Sequence, residues 1–330
     1  LSEKNFFGKI FRVGGIMVKV VFMGTPRIAV PALEHLVANG YNVVAAYTQP
    51  DKPAGRGRTL TVSAVKQAAL SLGIPVMQPP NFKSEEDITR MKEFSPDVIV
   101  VCAYGQILTQ AVLDIPPRQC INIHYSLLPK HRGASPVAAA ILAGDEFTGV
   151  SIQLVRRKLD TGPLLISGVV AISPNDNTGS LMEKLSPVGA GLLLEGMSGW
   201  LRGTITPREQ DENGATYFAQ IEKSAGEIDW NLTATDIWRR IRAYNPWPGC
   251  FTRWKGQTLN IIEGLAVISG ENIAEPGQVV ALAGTKGGVG IGTGKGLIVV
   301  RRIKLAGKRE MAAAEFIRGQ RDFIGATLPN

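Results

Sequence analysis

Val18-Lys-Val-Val-Phe-Met23, followed by Gly24-Thr25-Pro26, decides the fold. Six residues, apolar but for Lys19 and rich in β-branched and aromatic types, make a buried strand, and Gly-Thr-Pro makes the turn after it. The pattern then repeats along the chain. Ile28–Asn39 has helical spacing and stops at Gly40, and Asn42–Thr48 is a second strand. Val62–Leu72 reads as a helix ended by Gly73, Val76–Gln78 as a short strand and Ser84–Phe94 as a helix. Asp97–Ala103 and Cys120–His124 are further apolar strands. Strands alternating with helices predict a Rossmann-like α/β domain built on a mostly parallel sheet with right-handed crossovers. The first turn holds one glycine rather than Gly-x-Gly-x-x-Gly, so a dehydrogenase reading is disfavoured.

Bulk properties bound the rest. A chain of 330 residues, 45% hydrophobic and 19% charged, can bury two cores and is not of disordered composition. Its apolar runs are of strand length, short of a membrane span. Cys102, Cys120 and Cys250 are scattered, with neither metal-ligand spacing nor an even count, so no metal site is expected and a reduced, cytoplasmic setting is. The net charge of +8 sits mostly in the last third, where Lys223 to the end carries 15 Lys and Arg against 9 Asp and Glu. That asymmetry suits a domain that docks a polyanion.

The chemistry concentrates between residues 121 and 163. Asn122 and His124 fall two apart at a strand end, so their side chains share a face. Asp160 follows on another element, in Leu159-Asp-Thr-Gly-Pro163. An amide donor, an imidazole and a carboxylate are what a carbonyl under attack by an amine requires: one group for the oxyanion, two for the proton. Read blind, Asn-x-His on a strand is more often a pair of satisfied polar residues at a sheet edge. The stretch does lie where open α/β sheets bind ligands, beyond the carboxyl ends of the strands. The basic cluster Arg156-Arg157-Lys158 could attract phosphates or be a solvated edge. Ser126 lies near His124 without a nucleophile-elbow context, and no Cys or Ser is set beside a base as a better nucleophile.

Asn122-Ile-His-Tyr-Ser-Leu-Leu-Pro129, then Arg132-Gly-Ala-Ser-Pro136, then Leu159-Asp-Thr-Gly-Pro163, resembles the signature of the folate-dependent formyltransferases. Within them it is most similar to the members that formylate methionyl initiator tRNA for translation initiation. The resemblance implies 10-formyltetrahydrofolate as co-substrate, no metal, and Asn122, His124 and Asp160 as the catalytic set. It places Ala103, Tyr104 and Gly105 at the pterin ring, through backbone groups, and Ser126, Leu127, Leu128 and Pro129 in the folate site. Gln49–Leu60, with two prolines, two glycines and three basic residues, reads by itself as a mobile, solvated, cationic loop. In the resembling enzymes such a loop enters the acceptor arm of the tRNA, which assigns Lys52, Arg56 and Arg58 to tRNA. Arg58-Thr59 stands where some members carry two lysines.

The domain plan follows. Residues 1–16 are read as an extension before Met17, residues 17–203 as the catalytic domain and residues 204–222 as a linker. Thr178–Trp200 is helical but interrupted by Pro187-Val-Gly189, predicting two segments or a kink. In residues 223–330 a helix at Ala234–Ala243 precedes Tyr244-Asn-Pro-Trp-Pro-Gly249, which the resembling enzymes carry at the start of their second domain. Five short strands over about ninety residues then predict a small, basic OB-like β-barrel. Gly284–Gly296 lacks the spacing of a phosphate loop and reads as a hairpin. The expected assembly is a monomer, free of membrane. Formyltransferases acting on amino sugars or purine precursors, hydrolases of formylfolate and a non-catalytic RNA-binding protein are the rivals. The basic second domain stands against a purine-precursor enzyme, the Arg56 loop together with the C-terminal charge against a sugar enzyme, and the catalytic set against a pure binder.

Overall fold

The computed structural model describes residues 12–13, 16–54, 59–268, 274–282 and 288–330. Two compact units emerge. Unit 1 holds the chain up to Pro136, Phe147–Ala171 and Met182–Phe218; unit 2 holds Val137–Glu146, Ile172–Leu181 and Ala219–Asn330.

After a two-residue ribbon of β1 (Arg12–Val13) and β2 (Ile16–Met17), the regular pattern begins with β3 (Lys19–Gly24), α1 (Val30–Ala38) and β4 (Asn42–Tyr47). A small antiparallel hairpin, β5 (Lys52–Ala54) and β6 (Thr59–Thr61), precedes α2 (Ala64–Ser71). Next come β7 (Val76–Met77), α3 (Glu85–Glu93), β8 (Val98–Cys102), α4 (Gln110–Leu113), β9 (Cys120–His124), β10 (Arg132–Gly133) and α5 (Pro136–Ala143). β11 (Phe147–Leu154), β12 (Leu164–Ala171) and α6 (Thr178–Arg202) follow, then β13 (Tyr217–Phe218).

A seven-stranded sheet runs β12-β11-β9-β8-β3-β4-β7. Its last five strands are parallel; β11 and β12 are antiparallel additions at one edge. Val20 to Met23 and Val98 to Val100 are fully buried, as expected where both faces of a parallel sheet are covered. Strand order reverses between β3 and β8, where Gly24 faces Cys102 in register and a Cβ on Gly24 would stand 2.9 Å from the Cys102 carbonyl. This switch point is where such sheets take ligands.

Two local readings are settled. Of the two segments or kinked helix expected at Pro187, the two segments fall away: Pro187 lies inside α6, one helix over Thr178–Arg202. Gly189 and Gly196 bring its backbone onto the sheet: a Cβ at Gly189 would be 3.1 Å from Ile123 Cγ2, and at Gly196 2.9 Å from Ile166 Cγ2. Tertiary packing of this kind is what most helical stability in proteins rests on. The Gln49–Leu60 stretch, expected to be a mobile loop, contributes the arms of the β5–β6 hairpin.

Unit 2 contains α7 (Ala234–Ala243), capped by Thr233, whose Oγ1 accepts from the Asp236 amide at 3.1 Å. Then come β14 (Cys250–Trp254), β15 (Gln257–Val267), β16 (Val279–Leu282), β17 (Gly288–Gly292), β18 (Leu297–Leu305), β19 (Met311–Ala312) and α8 (Ala313–Gly319). They form an antiparallel sheet ordered β14-β15-β18-β17-β16, with β19 on β18. Among the described residues β14 and β16 do not pair, so the sheet is not closed as the expected barrel would be. Trp254, Phe316 and Phe323 stack edge to face at 5.2–5.5 Å and tie α8 to it.

Candidate active site

Asn122 and His124 end β9, while Ile121 and Ile123 alternate with them and are buried. The antiparallel register of β11 sets Gln153 opposite Asn122 and Ser151 opposite His124. Asp160 lies in the turn between β11 and β12, in the left-handed region at φ +53°. The turn is tight: a Cβ on Gly162 would fall 1.6 Å from the Leu154 carbonyl.

The three predicted residues converge. Asp160 Oδ1 is 3.5 Å from Asn122 Nδ2 and 3.5 Å from His124 Nδ1. The same oxygen accepts from Gln153 Nε2 at 3.0 Å, and Oδ2 accepts from the Gly133 amide at 2.9 Å. The imidazole and carboxylate side chains are only 6% and 7% exposed, so charge on either is little screened by water. His124 Nε2 lies 2.9 Å from the His131 carbonyl. A carbonyl only accepts, so Nε2 is the donor of that pair, and Nδ1 is the nitrogen turned toward Asp160. The long Asn122–Asp160 contact leaves that amide free to turn to another acceptor.

The residues expected at the folate divide by their surroundings. Ala103 and Gly105 are exposed and adopt φ +48° and +80° at the end of β8. The Tyr104 ring is buried beside Phe82, so its backbone is what it can offer. The Tyr104 carbonyl accepts from Thr25 Oγ1 at 2.9 Å, and the Gly105 carbonyl from Gln49 Nε2 at 2.9 Å. Ser126 is fully buried and donates to the Lys130 carbonyl at 2.6 Å, making it a brace for the loop. Leu128 is buried with its amide on Ser151 Oγ, whereas Leu127 and Pro129 are half-buried.

In the basic loop, Lys52 is exposed and donates to Gln49 Oε1 at 3.2 Å. Arg56 and Arg58 lie outside the described residues. The hairpin's root is fixed by Asp51, which accepts from Lys66 Nζ at 2.5 Å and Gln78 Nε2 at 2.9 Å. Those bonds, Lys66's first, hold the Asp51 carboxyl below its ordinary value. In the cluster beside Asp160, Arg156 pairs with Glu209, and Arg157 and Lys158 are exposed.

Sequence reasoning did not single out Gln153, Arg132 or Gln210. Gln153 was findable, because Ser151 and Gln153 alternate with apolar residues on a strand. Arg132 is fully buried, donating to Gln210 and Glu212, with its guanidinium 5.5 Å from the Tyr217 ring centroid. Arg132's hydrogen bond holds the Glu212 carboxyl below its usual range. Burial pushes the Cys102, Cys120 and Cys250 thiols each up to about 12, so none is a thiolate nucleophile. Among the described residues no three His, Cys, Asp or Glu are placed to hold a metal ion, and no helix is long and apolar enough to cross a membrane.

Residues 18–196 match the formyl transferase family model, and residues 220–321 match the formyl transferase C-terminal domain. A protein of Dehalococcoides mccartyi strain CBDB1 named methionyl-tRNA formyltransferase is 45% identical over 311 residues, 94% of this chain and 98% of its own length. A relative of the same name from Roseiflexus castenholzii is 45% identical over 305 residues, 92% of this chain and 96% of its own. Among solved structures, the sugar 3N-formyl transferase WlaRD, crystallised with dTDP and 5-N-formyl-THF, has a TM-score of 0.61 at 18% identity. It covers 89% of this chain and all of its own. HypX from Aquifex aeolicus in complex with tetrahydrofolic acid has a TM-score of 0.60 at 16% identity, over 90% of this chain and 46% of its own. At these identities the two structures speak for the fold.

Proposed function

The chain belongs to the formyl transferase family, and from that membership we propose that it moves the formyl group of 10-formyltetrahydrofolate to the α-amine of methionyl initiator tRNA. The observation that carries the chemistry is the meeting of Asn122, His124 and Asp160 around one carboxylate oxygen beyond the carboxyl end of β9. The identity to methionyl-tRNA formyltransferases along nearly the whole chain supports the acceptor.

The amine forms a bond to the formyl carbon, the bond from that carbon to N10 of the folate breaks, and the amine's proton ends on N10. Asn122 donates to the formyl oxygen as negative charge builds there. His124 receives the proton on Nδ1, where the Asp160 carboxylate stabilises the imidazolium, and returns it to the leaving nitrogen. Nε2 stays on the His131 carbonyl and keeps the ring from turning. The exposed backbone of Ala103 and Gly105 would hold the pterin ring, with Tyr104 contributing only main chain. Leu127, Leu128 and Pro129 would form the apolar wall, with Ser126 fixing their loop.

The Gln49–Leu60 stretch, with Lys52, Arg56 and Arg58 in its sequence, contacts the acceptor arm. Residues 17–203 form the catalytic domain and residues 223–330 a basic, OB-like tRNA-binding domain joined through residues 204–222. Its antiparallel sheet of β14 to β19 supports that reading. The protein works as a monomer in the cytoplasm, where translation initiates. A formylation assay with methionyl initiator tRNA, beside Asn122→Ala, His124→Ala and Asp160→Ala, tests this. Formyl-methionyl-tRNA from the wild type and its near loss in all three variants is expected. Transfer to an amino sugar instead would retain the site and overturn the acceptor.

A further inference from the structure

Gln210 belongs to the segment expected to be a linker, yet its amide is fully engaged beside the catalytic carboxylate. Nε2 donates to the Asp160 carbonyl at 2.9 Å and to the Gly162 carbonyl at 2.7 Å. Oε1 accepts from Arg132 Nε at 3.1 Å and Nη2 at 2.8 Å. The amide has two hydrogens and two lone pairs, and each has a partner. The same nitrogen is 3.4 Å from Gln153 Oε1, and Gln153 donates to Asp160 Oδ1.

We propose that Gln210 is a positioning residue of formyl transfer, which holds the turn bearing Asp160 so that the carboxylate meets His124. This rests on the function proposed above. Asp160 occupies a left-handed backbone conformation, which Asp tolerates better than most residues with a side chain, and contacts from outside the turn add to those within it. Gln210 clamps the turn on both sides, through the carbonyls of residues 160 and 162. Arg132 fixes Gln210 in turn, and is itself held by Glu212 and Tyr217.

The backbone makes the same connection. The Arg132 amide donates to the Thr216 carbonyl at 2.8 Å, the His131 amide to Thr216 Oγ1 at 2.8 Å and the Ala134 amide to the Phe218 carbonyl at 3.2 Å. β13 therefore pairs in parallel with β10. His131 and Gly133, whose main-chain groups orient His124 and Asp160, are fastened to the strap that carries Gln210. Glutamate at 210 would keep the volume but set an oxygen against two carbonyl oxygens. Methionine would keep the volume and remove the clamp without that repulsion.

The test uses the full chain, 10-formyltetrahydrofolate and methionyl-tRNA. Gln210→Glu and Gln210→Met are expected to lower kcat by about 100-fold, the scale of an ångström's misplacement of a catalytic group. KM for both substrates should stay within about threefold, because the clamp acts on the transition state. Should the Glu variant not fold, the Met variant carries the test. Placed in an Asp160→Asn background, Gln210→Met should change kcat by less than about threefold, because its effect passes through that carboxylate. Glu209→Ala, next in sequence and paired at the surface with Arg156, should match the wild type. Wild-type kcat in both Gln210 variants, or losses that multiply in the double variant, would overturn the proposal. Absence of formyl transfer by the wild type would instead refute the function on which it rests.

Discussion

Replacing Asp160 with asparagine exchanges one oxygen for an NH2 group and removes a negative charge at almost constant volume. If the NH2 takes the Oδ2 position it confronts the Gly133 amide, 2.9 Å away; at the Oδ1 position it confronts Gln153 Nε2, 3.0 Å away. Either way a donor meets a donor, and no counter-charge remains for His124. Two unit charges at the observed 3.5 Å attract by about 5 kcal/mol at an effective dielectric of about 20. Losing a general acid–base group costs about 10²–10⁴ in rate, or roughly 3–5 kcal/mol. The two estimates agree, so kcat should fall about 10³-fold. Because the charge on His124 develops only during proton transfer, KM for both substrates should stay near wild type, and kcat and kcat/KM should fall together. Steady-state formylation with methionyl-tRNA, over a range of each substrate, measures this. A kcat within tenfold of wild type, or a loss confined to KM, would refute the role given to the carboxylate.

Alanine at Gly162 would place its Cβ 1.6 Å from the Leu154 carbonyl, backbone that cannot swing aside, so stability should fall by about 2 kcal/mol or more and activity with it; a denaturant midpoint equal to wild type would contradict the tight turn. Arg56→Gln should weaken tRNA binding and flatten the log–log salt dependence of affinity by nearly one unit; an unchanged slope would remove Arg56 from the phosphate contacts. All three thiols should resist an aromatic disulfide reagent in the folded protein and react once it is unfolded, and labelling under native conditions would show that Cys102, Cys120 or Cys250 is reachable. Asp51, with a folded pKa below its ordinary 3.8, stabilises the fold above about pH 4, and that contribution fades as pH drops through 3.8 to the folded value. The thermal advantage of wild type over Asp51→Asn should therefore shrink on acidification; an advantage that stays constant down to about pH 3 would mean the ion pair with Lys66 adds nothing.

Local pattern carried the reading of sequence a long way, for reasons that are themselves local. Apolar runs bounded by glycine and proline mark β3, β4, β8 and β9 because side-chain alternation and turn chemistry act within a few residues. Asn122 and His124 share a face for that reason too. The helix at Ala234–Ala243 also lies where the sequence placed it, and the structure adds its Thr233 cap. At Pro187 local rules left two segments or a kinked helix open, and packing of Gly189 and Gly196 on the sheet accompanies one continuous α6.

What only the tertiary structure decided depends on groups far apart in sequence. Gln153 stands opposite Asn122 through the β9–β11 register, and the left-handed turn that aims Asp160 is held from Gln210, fifty residues on. Arg132 reaches Gln210 across 78 residues. No periodicity records such contacts, since each satisfies a polar group that becomes costly only once it is buried. By itself the sequence determined the alternating α/β layout and the residue types of the candidate site. Folding decided which polar groups are withdrawn from water together, and so which residues hold that site in place.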